Sequence, residues 1–122
     1  MSGEVWIVDD DGSSRLAIEN LVLSLGYSTQ TFATPSAYLA ARASNQLADD
    51  GVLISDVRMP GMSGLELLDR LRELGVPPPT IFVSAFPGEA LRTQVQSSGA
   101  IALLNKPLDV SLLKRALRIP RA

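Results

Sequence analysis

A chain of 122 residues, 46% hydrophobic and 20% charged, is long enough to bury a core and too apolar to stay disordered, so one folded domain is expected. Cysteine and histidine are both absent. That excludes disulfides, thiol nucleophiles, thiolate metal sites, imidazole catalysis, zinc–histidine sites and a phosphohistidine carried by the chain itself. The formal charge of −2 conceals a division: residues 1–61 hold eight acids and three bases, net −5, and residues 62–122 hold five acids and eight bases, net +3.

The bases near the C-terminus (Lys114, Arg115, Arg118 and Arg121) have no aromatic residues among them. They read as cations on the last turns of a helix, where its dipole favours them, and not as a nucleic-acid patch. Met-Ser-Gly-Glu is not a signal peptide, and no apolar run approaches a membrane span. A cytoplasmic location is the default expectation.

Short apolar runs alternate with helix-period segments five times. The first strand is expected at about Val5 to Asp9. A helix follows with Ile18, Leu21, Val22 and Leu25 on one face, capped by Ser13 or Ser14 and ended by Gly26. The second strand covers about Tyr27 to Phe32. Thr34-Pro35 then reads as an N-cap with proline at the first helical position, opening a helix to about Ser44. The third strand is Val52 to Asp56, followed by the turn-rich loop Arg58-Met59-Pro60-Gly61-Met62-Ser63-Gly64. The third helix turns Leu67, Leu68, Leu71 and Leu74 inward and stops at Gly75. Pro77-Pro78-Pro79 forces an extended approach to the fourth strand, Thr80 to Ser84. A polar, weakly packed fourth helix spans about Glu89 to Ser98, ended by Gly99. The fifth strand precedes Lys106-Pro107, and Asp109 caps a fifth helix that buries Val110, Leu113 and Leu117. No repeat or interdomain linker interrupts the pattern. Strands alternating with helices predict an α/β fold: a three-layer, doubly wound (βα)5 unit on a five-stranded parallel sheet, order 2-1-3-4-5.

In that order the ends of four strands share one edge, the carboxyl edge where open α/β sheets bind ligands. Asp9, Asp10 and Asp11 follow the first strand, Asp56 ends the third, Ser84 ends the fourth, and Lys106 follows the fifth. The acid pair alone reads more readily as a turn or cap. With Asp56 beside it, the carboxylates repel one another, and a hard divalent cation with oxygen ligands relieves them. Lys106 is either a lysine lying along a strand end or a point charge for phosphate. Ser84 either satisfies backbone or hydrogen-bonds a phosphoryl oxygen. The set suits a divalent metal plus a phosphoryl group.

Asp9-Asp10, Asp56 with its Met-Pro-Gly-Met-Ser-Gly loop, Ser84-Ala85 and Lys106-Pro107 together resemble the receiver domain of two-component response regulators, the CheY-like superfamily, over essentially the whole chain. Spacings of 28 residues from Asp56 to Ser84 and 50 to Lys106 resemble the FixJ-type receivers that precede LuxR-type helix-turn-helix domains. The resemblance implies that Asp56 is the phospho-acceptor. It implies a magnesium site, with manganese able to substitute, made by Asp10, Asp56 and the backbone carbonyl of Arg58, with Asp9 acting through water. Ser84 and Lys106 would bind phosphoryl oxygens, and Pro60, Gly64 and Pro107 would set loop shape. Asp11 matches an often acidic position but is less clearly a ligand.

Two positions depart from or modulate the pattern. Many receivers carry a switching aromatic three residues before the lysine; here it is Leu103, so a muted change is expected there. Phe86, two residues after Ser84, is large for a position near the approach of water and is expected to shield an acyl phosphate. A dehalogenase-like phosphatase is the competing enzyme reading, but it calls for an aspartate where Arg58 stands. A degenerate receiver serving only as an interaction module is the other alternative, disfavoured by the complete acid, hydroxyl and lysine set. The resemblance further implies a sensor histidine kinase docking near the first helix. It allows a homodimer through helix four, strand five or helix five, and implies no direct contact with nucleic acid or membrane. The domain is expected to span residues 1–122 with no output domain in the chain, as an excised regulatory domain more than a stand-alone one.

Overall fold

The computed structural model describes residues 3–118, so Arg121 lies outside the described residues. The elements alternate as β1 (Glu4–Val8), α1 (Gly12–Ser24), β2 (Ser28–Phe32), α2 (Pro35–Ala43), β3 (Val52–Asp56), α3 (Gly64–Glu73), β4 (Thr80–Ser84), α4 (Glu89–Ser98), β5 (Ala102–Asn105) and α5 (Val110–Leu117). The strands form one parallel sheet in the order β2-β1-β3-β4-β5. This is the α/β, three-layer topology that the alternation predicts.

Side chains leave a strand on alternate faces, so a strand covered on both sides must be apolar throughout. β3 and β4 are buried at every residue and β1 at all but its first. Val5, Ile7, Val52, Ile54, Ile81 and Val83 pack against Ile18 and Val22 of α1 and Leu113, Ala116 and Leu117 of α5. On the opposite face, Trp6, Val8 and Leu53 meet Tyr38 of α2 and Leu67 and Leu71 of α3. Phe82 meets Leu68 of α3 with Leu91 and Val95 of α4. The edge strand β2 (Ser-Thr-Gln-Thr-Phe) is only partly buried, as its composition allows.

The structure corrects three local expectations. The cap of α1 is Asp11, whose carboxylate accepts the Ser13 N–H; neither Ser13 nor Ser14 fills that place. Leu74 is 66% exposed, because α3 ends at Glu73 and the chain turns away at Gly75. Val110 is 45% exposed, since it occupies the first position of α5, a turn before the rows that Leu113, Ala116 and Leu117 bury. Thr34 and Asp109 cap α2 and α5 as expected. Gly99 ends α4 with φ 82, a left-handed conformation that costs glycine little.

Candidate phosphoryl and metal site

Parallel pairing fixes the register: Val8 stands beside Ser55, Asp56 beside Val83, and Ser84 beside Asn105. The residues that end these strands therefore meet at one rim. Asp9 is completely buried, and Asp56 and Ser84 nearly so, while Asp10 is exposed. One carboxylate oxygen from each of Asp9, Asp10 and Asp56 lies within 4.8 Å of the other two. Lys106 reaches across from the end of β5, its Nζ 2.9 Å from Asp9 Oδ2 and 3.3 Å from Asp56 Oδ2. Its backbone N–H donates to the Ser84 carbonyl at 2.9 Å, tying the β5 end to β4, and the Lys106-Pro107 bond is cis.

Burial pushes the Asp56 carboxyl above its ordinary value of 3.8; Lys106 pulls it back and the Asp9 charge raises it again, leaving it high. For Lys106, burial alone would weaken the ammonium. The hydrogen bond to Asp9 and the charge of Asp56 outweigh that and hold it above 10.5. Three carboxylates against one directly paired ammonium leave local negative charge, and all the donors are hard oxygens. That chemistry fits a small divalent cation such as magnesium.

The loop after Asp56 is shaped around it. The Asp56 carboxylate accepts the Arg58 N–H at 3.4 Å, and the Ser55 hydroxyl donates to the Asp56 carbonyl at 2.9 Å. The Gly64 N–H donates to the Val57 carbonyl at 2.8 Å. A Cβ on Gly64 would collide with the Asp56 carbonyl and crowd the Phe82 ring. Gly64→Ala is therefore expected to lose about 2 kcal/mol of stability and to displace the acceptor loop. Urea denaturation checks this, and an unchanged midpoint would contradict it. Pro60 is exposed on the same loop.

A cleft of about 300 Å³ opens over the acceptor, lined by Asp56, Arg58, Ser84, Ala85, Phe86 and Lys106. Phe86 stands at its rim, 87% exposed. Leu103 is not in this cleft. It is half-buried against Val57, Leu68, Phe82, Leu91 and Val95. A larger cleft, about 580 Å³, lies at the opposite edge of the sheet near Pro77, Pro78, Pro79 and Thr80, where Asp49 and Asp50 are exposed; the converging acids are absent from its lining.

Of the acids after β1, Asp9 and Asp10 enter the cluster, whereas the Asp11 carboxylate is used as a helix cap. Two further residues bear on Asp9: Arg15, which the sequence reading does not single out, and Ser14, which it offers only as a cap of α1. The Ser14 hydroxyl donates to Asp9 Oδ2 at 2.6 Å, and Arg15 Nη1 donates to the Asp9 carbonyl at 2.8 Å. Their positions five and six residues after Asp9, in the first turn of a helix facing it, were the available signal.

Comparison with known proteins agrees with this geometry. The response regulator receiver domain family matches residues 5–118. The DNA-binding transcriptional regulator NtrC of Salmonella typhimurium is 37% identical over 119 residues, covering 94% of this chain and 25% of that protein. The C4-dicarboxylate transport transcriptional regulatory protein DctR of Rhodobacter capsulatus is 42% identical over 111 residues, covering 89% of this chain and 55% of that protein. The chain thus spans between a quarter and about half of these relatives. The crystal structure of FixJ-N superposes with a TM-score of 0.84 at 27% identity, covering 96% of this chain and 91% of that one. Chemotaxis protein CheY4 of Vibrio cholerae gives 0.80 at 27% identity, covering 98% and 100%. With the fold, the strand-end cluster and these relatives in agreement, the chain belongs to the response-regulator receiver domain family of two-component systems.

Proposed function

We propose that Asp56 accepts a phosphoryl group from the phosphohistidine of a sensor histidine kinase in a magnesium-dependent reaction, and that the phosphorylated domain controls an output. The observation that carries this is the convergence of Asp9, Asp10 and Asp56 with Lys106 beneath an open cleft. Residues 1–122 contain no histidine, so the donor imidazole lies outside this domain.

A carboxylate oxygen of Asp56 attacks phosphorus as the phosphorus–nitrogen bond to the donor breaks, leaving an acyl phosphate and a free imidazole. Such transfer asks the protein chiefly for positioning and charge. The β3 backbone and the Gly64 loop hold the acceptor, while burial strips it of water. The Lys106 ammonium, already 3.3 Å from Asp56, moves to a phosphoryl oxygen, and the Ser84 hydroxyl donates to another. Asp10, Asp56 and the Arg58 carbonyl, with Asp9 through water, would hold magnesium, or manganese in its place, which when bound neutralises charge on the phosphoryl oxygens. Water later cleaves the acyl phosphate.

Intact-mass measurement after treatment with a small phosphodonor tests the reading. The mass of one phosphoryl group should appear on the wild type in magnesium and not after chelation. Failure to label, or to bind beryllofluoride with magnesium, would leave a protein-interaction module instead.

Phe86 lines the rim of the cleft, which supports a role in hindering attacking water. Phe86→Ala is expected to shorten the phosphoryl lifetime about threefold to tenfold, a modest change in barrier; an unchanged decay rate removes the role. In the phosphoryl-analogue complex, Ser84 is expected to turn toward the ligand while Leu103, held in its apolar cluster, keeps its rotamer. A Leu103 side chain swung into the space vacated by Ser84 would contradict this.

Several of the relatives are named as transcriptional regulators, which supports a transcriptional output coupled to this domain in the cytoplasm. A kinase docking near α1 and dimerisation through α4, β5 or α5 complete the proposal. Among the described residues, no helix is long and apolar enough to cross a membrane.

A further inference from the structure

Asp9 is held at every polar atom. Its N–H donates to the Phe32 carbonyl at 3.1 Å, and its carbonyl accepts Arg15 Nη1 at 2.8 Å. Its carboxylate oxygen Oδ1 accepts the Asp11 N–H at 3.0 Å. The other oxygen, Oδ2, takes two donors, the Ser14 hydroxyl at 2.6 Å and Lys106 Nζ at 2.9 Å. An ionised carboxylate offers about four acceptor positions. Both on Oδ2 are filled and one on Oδ1 is filled, which leaves one, on Oδ1, for a cation or its water.

We propose that Ser14 is a positioning residue: its hydroxyl fixes the Asp9 carboxylate so that Oδ2 stays turned to Lys106 and Oδ1 keeps the free acceptor position for magnesium or its hydration shell. This rests on the magnesium reading of the site. Lys106 is on a flexible stem and must leave Asp9 when it pairs with a phosphoryl oxygen. Asp9 is fully buried, and without Ser14 that departure would leave Oδ2 with no donor, at a cost that resists the move. With Ser14 in place, each carboxylate oxygen keeps a donor throughout, and the carboxylate plane does not turn. Hydrogen-bond partners that orient a metal ligand act on affinity in this way.

Calorimetric titration of the metal-free domain with magnesium chloride tests the proposal on wild type, Ser14→Ala, Ser14→Thr and Ser14→Val. The Asp11 amide, which donates to Asp9 Oδ1, is followed by nuclear magnetic resonance in the same titrations. Ser14→Ala is expected to weaken magnesium binding about tenfold and to broaden or shift the Asp11 amide before any metal is added. Thr and Val have the same shape and differ by the hydroxyl. Ser14→Thr should stay within about twofold of wild type while Ser14→Val matches Ser14→Ala, and this pair decides the matter even if Ser14→Ala does not fold. Equal affinities for Thr and Val, or a Ser14→Ala affinity within twofold of wild type, overturn the positioning role. A wild type that binds no magnesium overturns the metal reading itself, a separate outcome.

Discussion

Asp56→Asn is expected to abolish phosphoryl uptake and, in the metal-free protein, to raise the unfolding midpoint. Loss of uptake follows from removing the attacking carboxylate, since the amide is not a comparable nucleophile. Stabilisation follows from the same burial that equips the residue for its task. Asp56 sits 8% exposed beside the fully buried Asp9, and its carboxyl is held above 3.8 first by burial and then by the Asp9 charge, with Lys106 only partly offsetting them. A group whose native pKa is raised binds its proton more tightly folded than unfolded. Its ionisation therefore costs stability as pH rises from 3.8 through the raised value, and that cost persists at neutral pH. The amide removes the cost, so the variant should unfold a few degrees higher at pH 7 and lose part of the pH dependence above 3.8. Saturating magnesium should narrow or reverse the gap, because the cation stabilises the wild-type carboxylate. Thermal melts with and without magnesium, across pH, check this together with intact mass. Phosphoryl uptake persisting in Asp56→Asn would move the acceptor elsewhere.

Lys106→Ala is expected to act in the opposite direction on stability while also impairing transfer. The ammonium bridges Asp9 and Asp56 at 2.9 and 3.3 Å, with the lysine side chain only 18% exposed. Removing it leaves two buried carboxylates facing each other, a loss of about 3 kcal/mol and about 10 °C in midpoint for a domain of this size. Magnesium should restore much of the difference, since a cation can again neutralise the pair. Lys106 is also held above 10.5, so its own contribution is present below that pH and fades as pH rises through the raised value. Phosphorylation by a small donor at saturating magnesium should fall by about a hundredfold, the usual worth of a placed charge on a transferring group. A variant as stable as wild type without metal would show that the bridge is not formed in solution.

These two variants also mark where sequence is informative. β3 and α4 were legible at their observed bounds because Val52 to Ile54 is an apolar run that leads through Ser55 into Asp56, and Pro87-Gly88 and Gly99 punctuate the helix between them. Leu74 and Val110 were misplaced because helical period marks a face but not where the packing layer ends, and both lie at helix ends. Asp11 was weighed as a ligand and Ser14 as a cap, and the structure gives the capping to Asp11 and the carboxylate contact to Ser14. Local pattern cannot separate those uses, since each needs only an oxygen in the first turn.

The chain by itself determined the alternation of strand and helix, the parallel sheet and the residue types at the strand ends, because periodicity and turn chemistry are local properties. Tertiary structure alone decided that Asp9 is wholly buried, that Lys106 bridges it to Asp56 across 97 and 50 residues of sequence, and that Ser14 shares its oxygen. Those facts depend on strand register and helix docking, which place side chains to within an ångström and are written in no segment of the chain.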